Sequence, residues 1–158
     1  MDEKALLERL YELLAESGAR HGEVVDPMTQ MDPDTEIHQV GKSGVAAFFG
    51  EYLSVAWPPE ERVEATARTY GLIGQRLQEQ GLIRFMVHFR NVGSIIAVRR
   101  LGGRPLGVDE KGYIHYLLTR HAFISRGRRT GLKIKSREYT GHGKQAETPE
   151  ATEPAAHY

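Results

Sequence analysis

PEERVEATARTYGLIGQRLQEQGLIRFMVHFRNVGSIIAVRRL, residues 59–101, passes from helical to alternating periodicity at Gly81, and the fold class turns on that change. Pro59 suits a first helical position. Glu60, Glu61 and Glu64 favour the positive end of a helix dipole, and Gly81 suits the left-handed residue that ends one, so 59–80 is predicted as a helix. Val63, Ala67, Tyr70, Ile73 and Leu77 lie along one stripe and form its expected core face. Gly71 and Gly74 weaken it by about 1 kcal/mol each relative to alanine. Beyond Gly81, residues 84–90 place Phe85, Val87 and Phe89 on one side of a strand, 91–94 carry turn chemistry, and 95–101 are rich in β-branched side chains. Strand, turn and strand is the expectation. A helix through Leu82, Phe85, Phe89, Val92 and Ile96 competes with it, because short apolar runs fit both periods.

A long helix followed by a hairpin is the closing order of a winged-helix unit. The sequence GQRLQEQGLIRFM, residues 74–86, resembles the corresponding stretch of DEP domains, a winged-helix family that docks on membranes and signalling partners. The chain departs from that pattern in its long preceding helix and in its basic carboxy-terminal extension. The expected class is α+β: a small, mostly helical domain with a winged-helix-like β-hairpin in its C-terminal half and a disordered C-terminal tail.

Working outward, Leu6, Leu10, Leu13 and Leu14 repeat at helical spacing, so 2–17 is predicted as an amphipathic helix capped by Asp2 and ended by Gly18. Residues 22–36 are acidic and broken by Pro27 and Pro33, an exposed loop. A helix is expected over 43–55, carrying Val45, Phe48, Phe49, Tyr52 and Leu53, and stopped by Pro58 and Pro59. Residues 101–107 read as a glycine-rich loop, 109–125 as a last helix, 126–130 as a basic turn and 132–139 as a strand. From 141 to 158 the composition cannot bury enough to order itself. The organisation expected is one α+β domain over 1–140 with a flexible tail over 141–158.

The chain of 158 residues has no cysteine, which excludes thiol nucleophiles, cysteine-ligated metal sites and disulfides. No apolar run approaches the roughly 18 residues of a membrane span, and the acidic start does not read as a secretory signal. A cytoplasmic protein is expected, or one carried in a virion. The net charge of zero conceals an asymmetry: residues 1–98 carry nine cations against fifteen carboxylates, and 99–144 twelve against three. Such a split suits a polyanion-binding segment, copies that meet acidic end to basic end, or simply two solvated faces.

Motifs for chemistry are sparse. Gly41, Lys42 and Ser43 have the residue types of a phosphate loop, but the pattern needs glycine where Glu36 stands. Asp32, Asp34 and Glu36 alternate like calcium ligands, yet the sixth position of such a loop is Ile37 rather than glycine. His115 and His121 do not share a helix face, and neither HExxH nor GxSxG occurs. The expectation is a protein that is not an enzyme and has no metal or other cofactor.

Nucleic-acid binding needs cations for phosphates and aromatic or edge-reading groups for bases. The candidate cations are Arg99, Arg100, Arg104, Arg120, Arg126, Arg128, Arg129, Lys133, Lys135 and Arg137, with Tyr113, Tyr116 and Phe123 interleaved and core packing the competing role of these aromatics. On a strand Lys133, Lys135 and Arg137 would share a face. The leading functional expectation is a non-enzymatic DNA- or RNA-binding protein. The alternative is a self-assembling structural subunit, such as a virion, phage-particle or filament coat protein, and in either case a homo-oligomer is expected.

Overall fold

A computed structural model describes residues 2–23 and 26–130, with side chains placed as far as Gly127. The chain divides into two compact units, Met1–Thr69 and Tyr70–Tyr158. Helices and strands are both plentiful, so the class is α+β.

In the first unit, Asp2 opens α1 (Glu3–His21) by accepting the Ala5 N–H at 2.8 Å, and Gly22 closes it at φ +70°. The helix runs one turn past Gly18. Leu6, Leu10, Leu13 and Leu14 are buried as the periodicity requires. The acidic segment holds one 3-10 turn, Pro27–Gln30, opened by Asp26, whose carboxylate accepts the Met28 N–H at 2.8 Å. Burial pushes the Asp26 carboxyl above its ordinary range, against the pull of that N–H.

Three strands follow: β1 (Ile37–Val40), β2 (Gly44–Phe49) and β3 (Tyr52–Ala56). They form an antiparallel meander in which Ala47 stands opposite Ile37 on one side and Ser54 on the other. The helix expected over 43–55 is therefore a hairpin. All six residues of β2 are buried, so neither face carries the polar residues that make a strand legible by alternation. The two-residue loop Gly50–Glu51 has Gly50 at φ +62°, a turn conformation that a helix interior excludes. α1 packs across all three strands.

A 3-10 turn, Pro59–Glu61, leads into α2 (Arg62–Gln80), which ends at Gly81 with φ +88°. Its buried positions are Ala65, Thr69, Ile73, Gly74 and Leu77. Ile73 and Leu77 meet the expectation, but Val63 is 82% exposed and Ala67 is exposed as well. A repeat of four residues drifts about 40° per step around a 3.6-residue helix, so the buried stripe winds away from the one expected.

The second unit holds β4 (Leu82–His88), α3 (Val92–Leu101), β5 (Arg104–Val108), β6 (Tyr113–Thr119) and α4 (Arg120–Thr130). Its strands lie in the order β4-β6-β5, all antiparallel, with α3 and α4 in contact. The strand expected over 95–101 is helix α3, so the hairpin behind the winged-helix likeness is not formed by 84–101. Capping prevails over β-branched propensity here: the Asn91 side chain accepts the Ser94 N–H at 3.2 Å, and Gly102, at φ +108°, closes the far end. The C-terminal-half hairpin is instead β5 with β6. The loop expected over 101–107 holds most of β5, and the helix expected over 109–125 is a turn, a strand and the start of α4.

Ile114, Tyr116 and Leu118 alternate onto one face of β6, although Tyr113, Leu117 and His121 fit a helical period equally well. The turn before them decides. Gly112 stands at φ +91°, and the Asp109 carboxylate accepts the N–H groups of Lys111 at 2.9 Å and Tyr113 at 3.0 Å. The basic turn expected over 126–130 is the continuation of α4. The expected strand 132–139 and tail 141–158 lie outside the described residues.

β5 is an edge strand exposed at every position, with Pro105 in it and a register irregularity between Pro105 and Gly107. Among the described residues no helix is long and apolar enough to cross a membrane.

Candidate nucleic-acid interface

The two units differ in charge more sharply than the sequence halves do. Residues 1–69 carry six cations against fourteen carboxylates, residues 70–130 carry eleven against three, and the remainder is balanced at four against four. Net charge is thus minus eight on the first unit and plus eight on the described part of the second.

The chain path gathers several positive charges of the second unit at one end. β6 ends beside the start of β4, since Thr119 stands opposite Leu82, and the Arg120 N–H donates to the Gly81 carbonyl at 3.1 Å. Arg104 opens β5 opposite Leu117, at that same end. The C-terminus of α3 reaches it too: a Cβ on Gly102 would come within 2.9 Å of the Ala122 carbonyl oxygen and 3.2 Å of Arg126 Cγ. Glycine is required there on both counts, the positive φ and the close approach of α4.

Arg99 and Arg100 occupy the last turn of α3, Arg104 begins β5 and Arg120 begins α4, and all four are exposed. Arg126 is half-buried beside Gly102. Arg128 and Arg129 belong to the final turn of α4, whose side chains are not described, and Lys133, Lys135 and Arg137 lie outside the described residues. Sequence reasoning missed Arg84, which stands opposite Leu117 on β4 and so shares a row across the sheet with Arg104. Two strand spacings separate their backbones, about 10 Å. Only the strand order, invisible in the sequence, relates the two.

Placement of these charges follows helix electrostatics in one case and opposes it in another. Arg99 and Arg100 sit at the negative end of α3, where cations are favoured. α4 starts with Arg120 and His121 and has no carboxylate in its first turn, so its positive end is left without an internal counter-charge there. Thr119 caps it through the Ala122 N–H at 3.2 Å.

The interleaved aromatics are core. Tyr113, Tyr116 and Phe123 are all buried, which removes them as stacking surfaces for bases. Exposed apolar side chains occur elsewhere in the unit, at Phe89, Val92, Ile96, Leu106 and Val108. Phe89 lies at the opposite end from Arg84, Arg104 and Arg120, its N–H donating to the Gly112 carbonyl at 2.9 Å. Its ring stacks on His88, with the Arg90 guanidinium 5.2 Å from its centre. At that end the Asp109 carboxylate also meets His115 Nε2 at 3.0 Å. Burial pushes the Asp109 carboxyl up, but His115 and the Tyr113 and Lys111 N–H groups outweigh it and leave it below its ordinary range.

The turn of Gly41, Lys42 and Ser43 has an internal occupant. The Ser43 N–H donates to Glu61 at 2.8 Å, its hydroxyl donates at 2.8 Å, and the Gly44 N–H donates at 3.1 Å. Arg9 Nη2 donates to the Ser43 hydroxyl oxygen at 3.4 Å. Converging amides of this kind make an anion-binding concavity, and here a carboxylate of the same chain fills it. These bonds, the Ser43 N–H foremost, hold the Glu61 carboxyl below its ordinary range. A lowered folded-state value means the stabilisation is complete above the unfolded glutamate range, near 4.5, and is lost as pH falls through the folded value. Glu61→Gln should therefore lower Tm at neutral pH and flatten its fall in acid, as a melting series from pH 7 to pH 3 would record. An unchanged acid limb would assign that pH dependence to other carboxylates.

Among the described residues no three His, Cys, Asp or Glu side chains gather as a metal ion would require. No protein-family model, curated protein or solved structure matches the chain.

Proposed function

We propose that the protein binds nucleic acid through the arginine-bearing end of its second unit, engaging the sugar-phosphate backbone rather than the bases. The observation that carries this reading is the convergence of Arg99, Arg100, Arg104 and Arg120 from three elements onto one end of a unit with net charge plus eight. Arg120 supports it further. A cation at the positive end of α4 costs local stability, and a bound phosphate would relieve that cost. Burial of Tyr113, Tyr116 and Phe123 favours charge contact over stacking.

Binding of this kind depends steeply on salt, because each neutralised phosphate releases condensed counterions. The triple variant Arg99→Ala, Arg100→Ala, Arg104→Ala should weaken binding to duplex DNA and reduce the magnitude of the log-log salt slope by about 0.9 for each phosphate that is no longer neutralised. Arg20→Ala, at the exposed end of α1, should leave the slope unchanged. Fluorescence anisotropy over a salt series measures both. A triple variant with native circular dichroism and the wild-type slope would reassign these arginines to a solvated face or a protein contact.

A further inference from the structure

The exposed apolar side chains follow the division of charge. In the first unit the described exposed large hydrophobics are Met31 and Val63, and in the second they include Phe89, Val92 and Ile96. Met31 adjoins Asp32 with Asp34 beyond it, and Val63 stands between Arg62 and Glu64, one turn from Glu60. Phe89 adjoins Arg90, and the helix that carries Val92 and Ile96 ends in Arg99 and Arg100. Val92 and Ile96 are four residues apart and so share one side of α3. The chain thus carries an apolar and basic surface on one unit and an apolar and acidic projection on the other.

The acidic projection is held in place. The Tyr11 hydroxyl donates to the Met31 carbonyl at 2.9 Å, and the Asp34 N–H donates to the Phe48 carbonyl at 2.8 Å. Between these ties Met31 is 41% exposed, and Asp32 and Asp34 are exposed. A loop fixed at both ends loses little conformational entropy on docking. The receiving surface is equally ordered: Phe89 rests on His88, and Asn91 caps the turn that presents Val92.

We infer that the α3 surface of Phe89, Val92 and Ile96 receives the Met31–Asp34 loop of a second copy of this chain. Charge complementarity selects that occupant. The same α3 surface on another copy would bring Arg90, Arg99 and Arg100 against like charges, whereas the loop brings Asp32 and Asp34 to them. A contact between two different surfaces is heterologous and propagates from copy to copy, closing into a ring or extending as a filament. This interface shares Arg99 and Arg100 with the proposed nucleic-acid surface, so all measurements of it are made in the absence of nucleic acid.

Complementation tests it. Sedimentation should show wild-type protein forming species above the 17.8 kDa of one chain as concentration rises, and shifting back towards the monomer in high salt. Ile96→Asp removes the receiving surface, and Asp32→Arg with Asp34→Arg removes the projection. Each variant alone should remain a single chain. An equimolar mixture should form a species of two chains and no larger, because each partner keeps one competent surface. Wild-type protein that stays monomeric up to its solubility limit overturns the inference. So does a mixture that stays monomeric while both variants keep native circular dichroism, or a loop variant that self-associates alone, which would mean that α3 pairs with α3.

Discussion

Leu77→Ala should destabilise the protein by about 2 to 5 kcal/mol, since the lost transfer free energy of the side chain and the cavity left behind add. Leu77 is 1% exposed near the end of α2, where the buried stripe of Ala65, Thr69, Ile73 and Leu77 finishes. Against a typical total stability of about 5 to 15 kcal/mol, that is a large fraction. The adjacent Gln78 is exposed, and Gln78→Ala should change stability by less than about 0.5 kcal/mol. Urea unfolding followed by circular dichroism separates the two. A midpoint for Leu77→Ala within error of wild type would show that the residue is not in a packed core, and equal losses at both positions would point to helix propensity instead.

Gly44→Ala should cost at least about 1 to 3 kcal/mol, the range in which added methyl groups overpack a dense core. A Cβ at Gly44 would lie 2.5 Å from the Val40 carbonyl oxygen and 2.8 Å from Trp57 Cβ. Neither neighbour is the free end of a flexible side chain, so relief requires the β1-β2 turn to move. That turn is the one whose Ser43 and Gly44 N–H groups hold Glu61. Gly50→Ala provides the contrast: nothing lies within 4 Å of its added Cβ, and only the φ of +62° opposes it. Thermal melts of both variants should place Gly44→Ala well below Gly50→Ala. The reverse order would mean that the turn yields freely and that backbone strain governs these positions.

The elements legible in the sequence are those with a cap at each end and one polar face. α1 has Asp2 and a leucine stripe, α2 has Pro59 and Gly81, and β4 alternates buried Ile83, Phe85 and Val87 with less buried residues as far as its buried last residue, His88. Elements that failed carried local signals that point two ways. β2 is buried on both faces and contains two alanines, so nothing local distinguishes it from a helix; its pairing with β1 and β3 settles it. In α3, Ile95, Ile96 and Val98 favour a strand, and Asn91, which reads equally well as part of a turn, is the cap that overrides them.

The candidate site was legible as charge and not as geometry. Arg99, Arg100, Arg104 and Arg120 stand out in the sequence, but their convergence requires β6 to lie between β4 and β5, an order no local pattern encodes. Arg84 was hidden for the same reason. Phe89, Val92 and Ile96 were missed because an exposed apolar residue in a short run looks identical to a buried one until its neighbours are known.

The rim formed by β5 limits the kinds of aggregate the protein can form. An unpaired strand edge ordinarily templates another strand, the first step towards a fibril that does not dissolve. Pro105 has no N–H to donate, and the irregularity before Gly107 breaks the even spacing of the other hydrogen-bonding groups. Both features disfavour growth by strand addition at this margin. An assembly held by the inferred loop contact, through side chains and charge, should dissolve on dilution or added salt and re-form when those conditions are reversed.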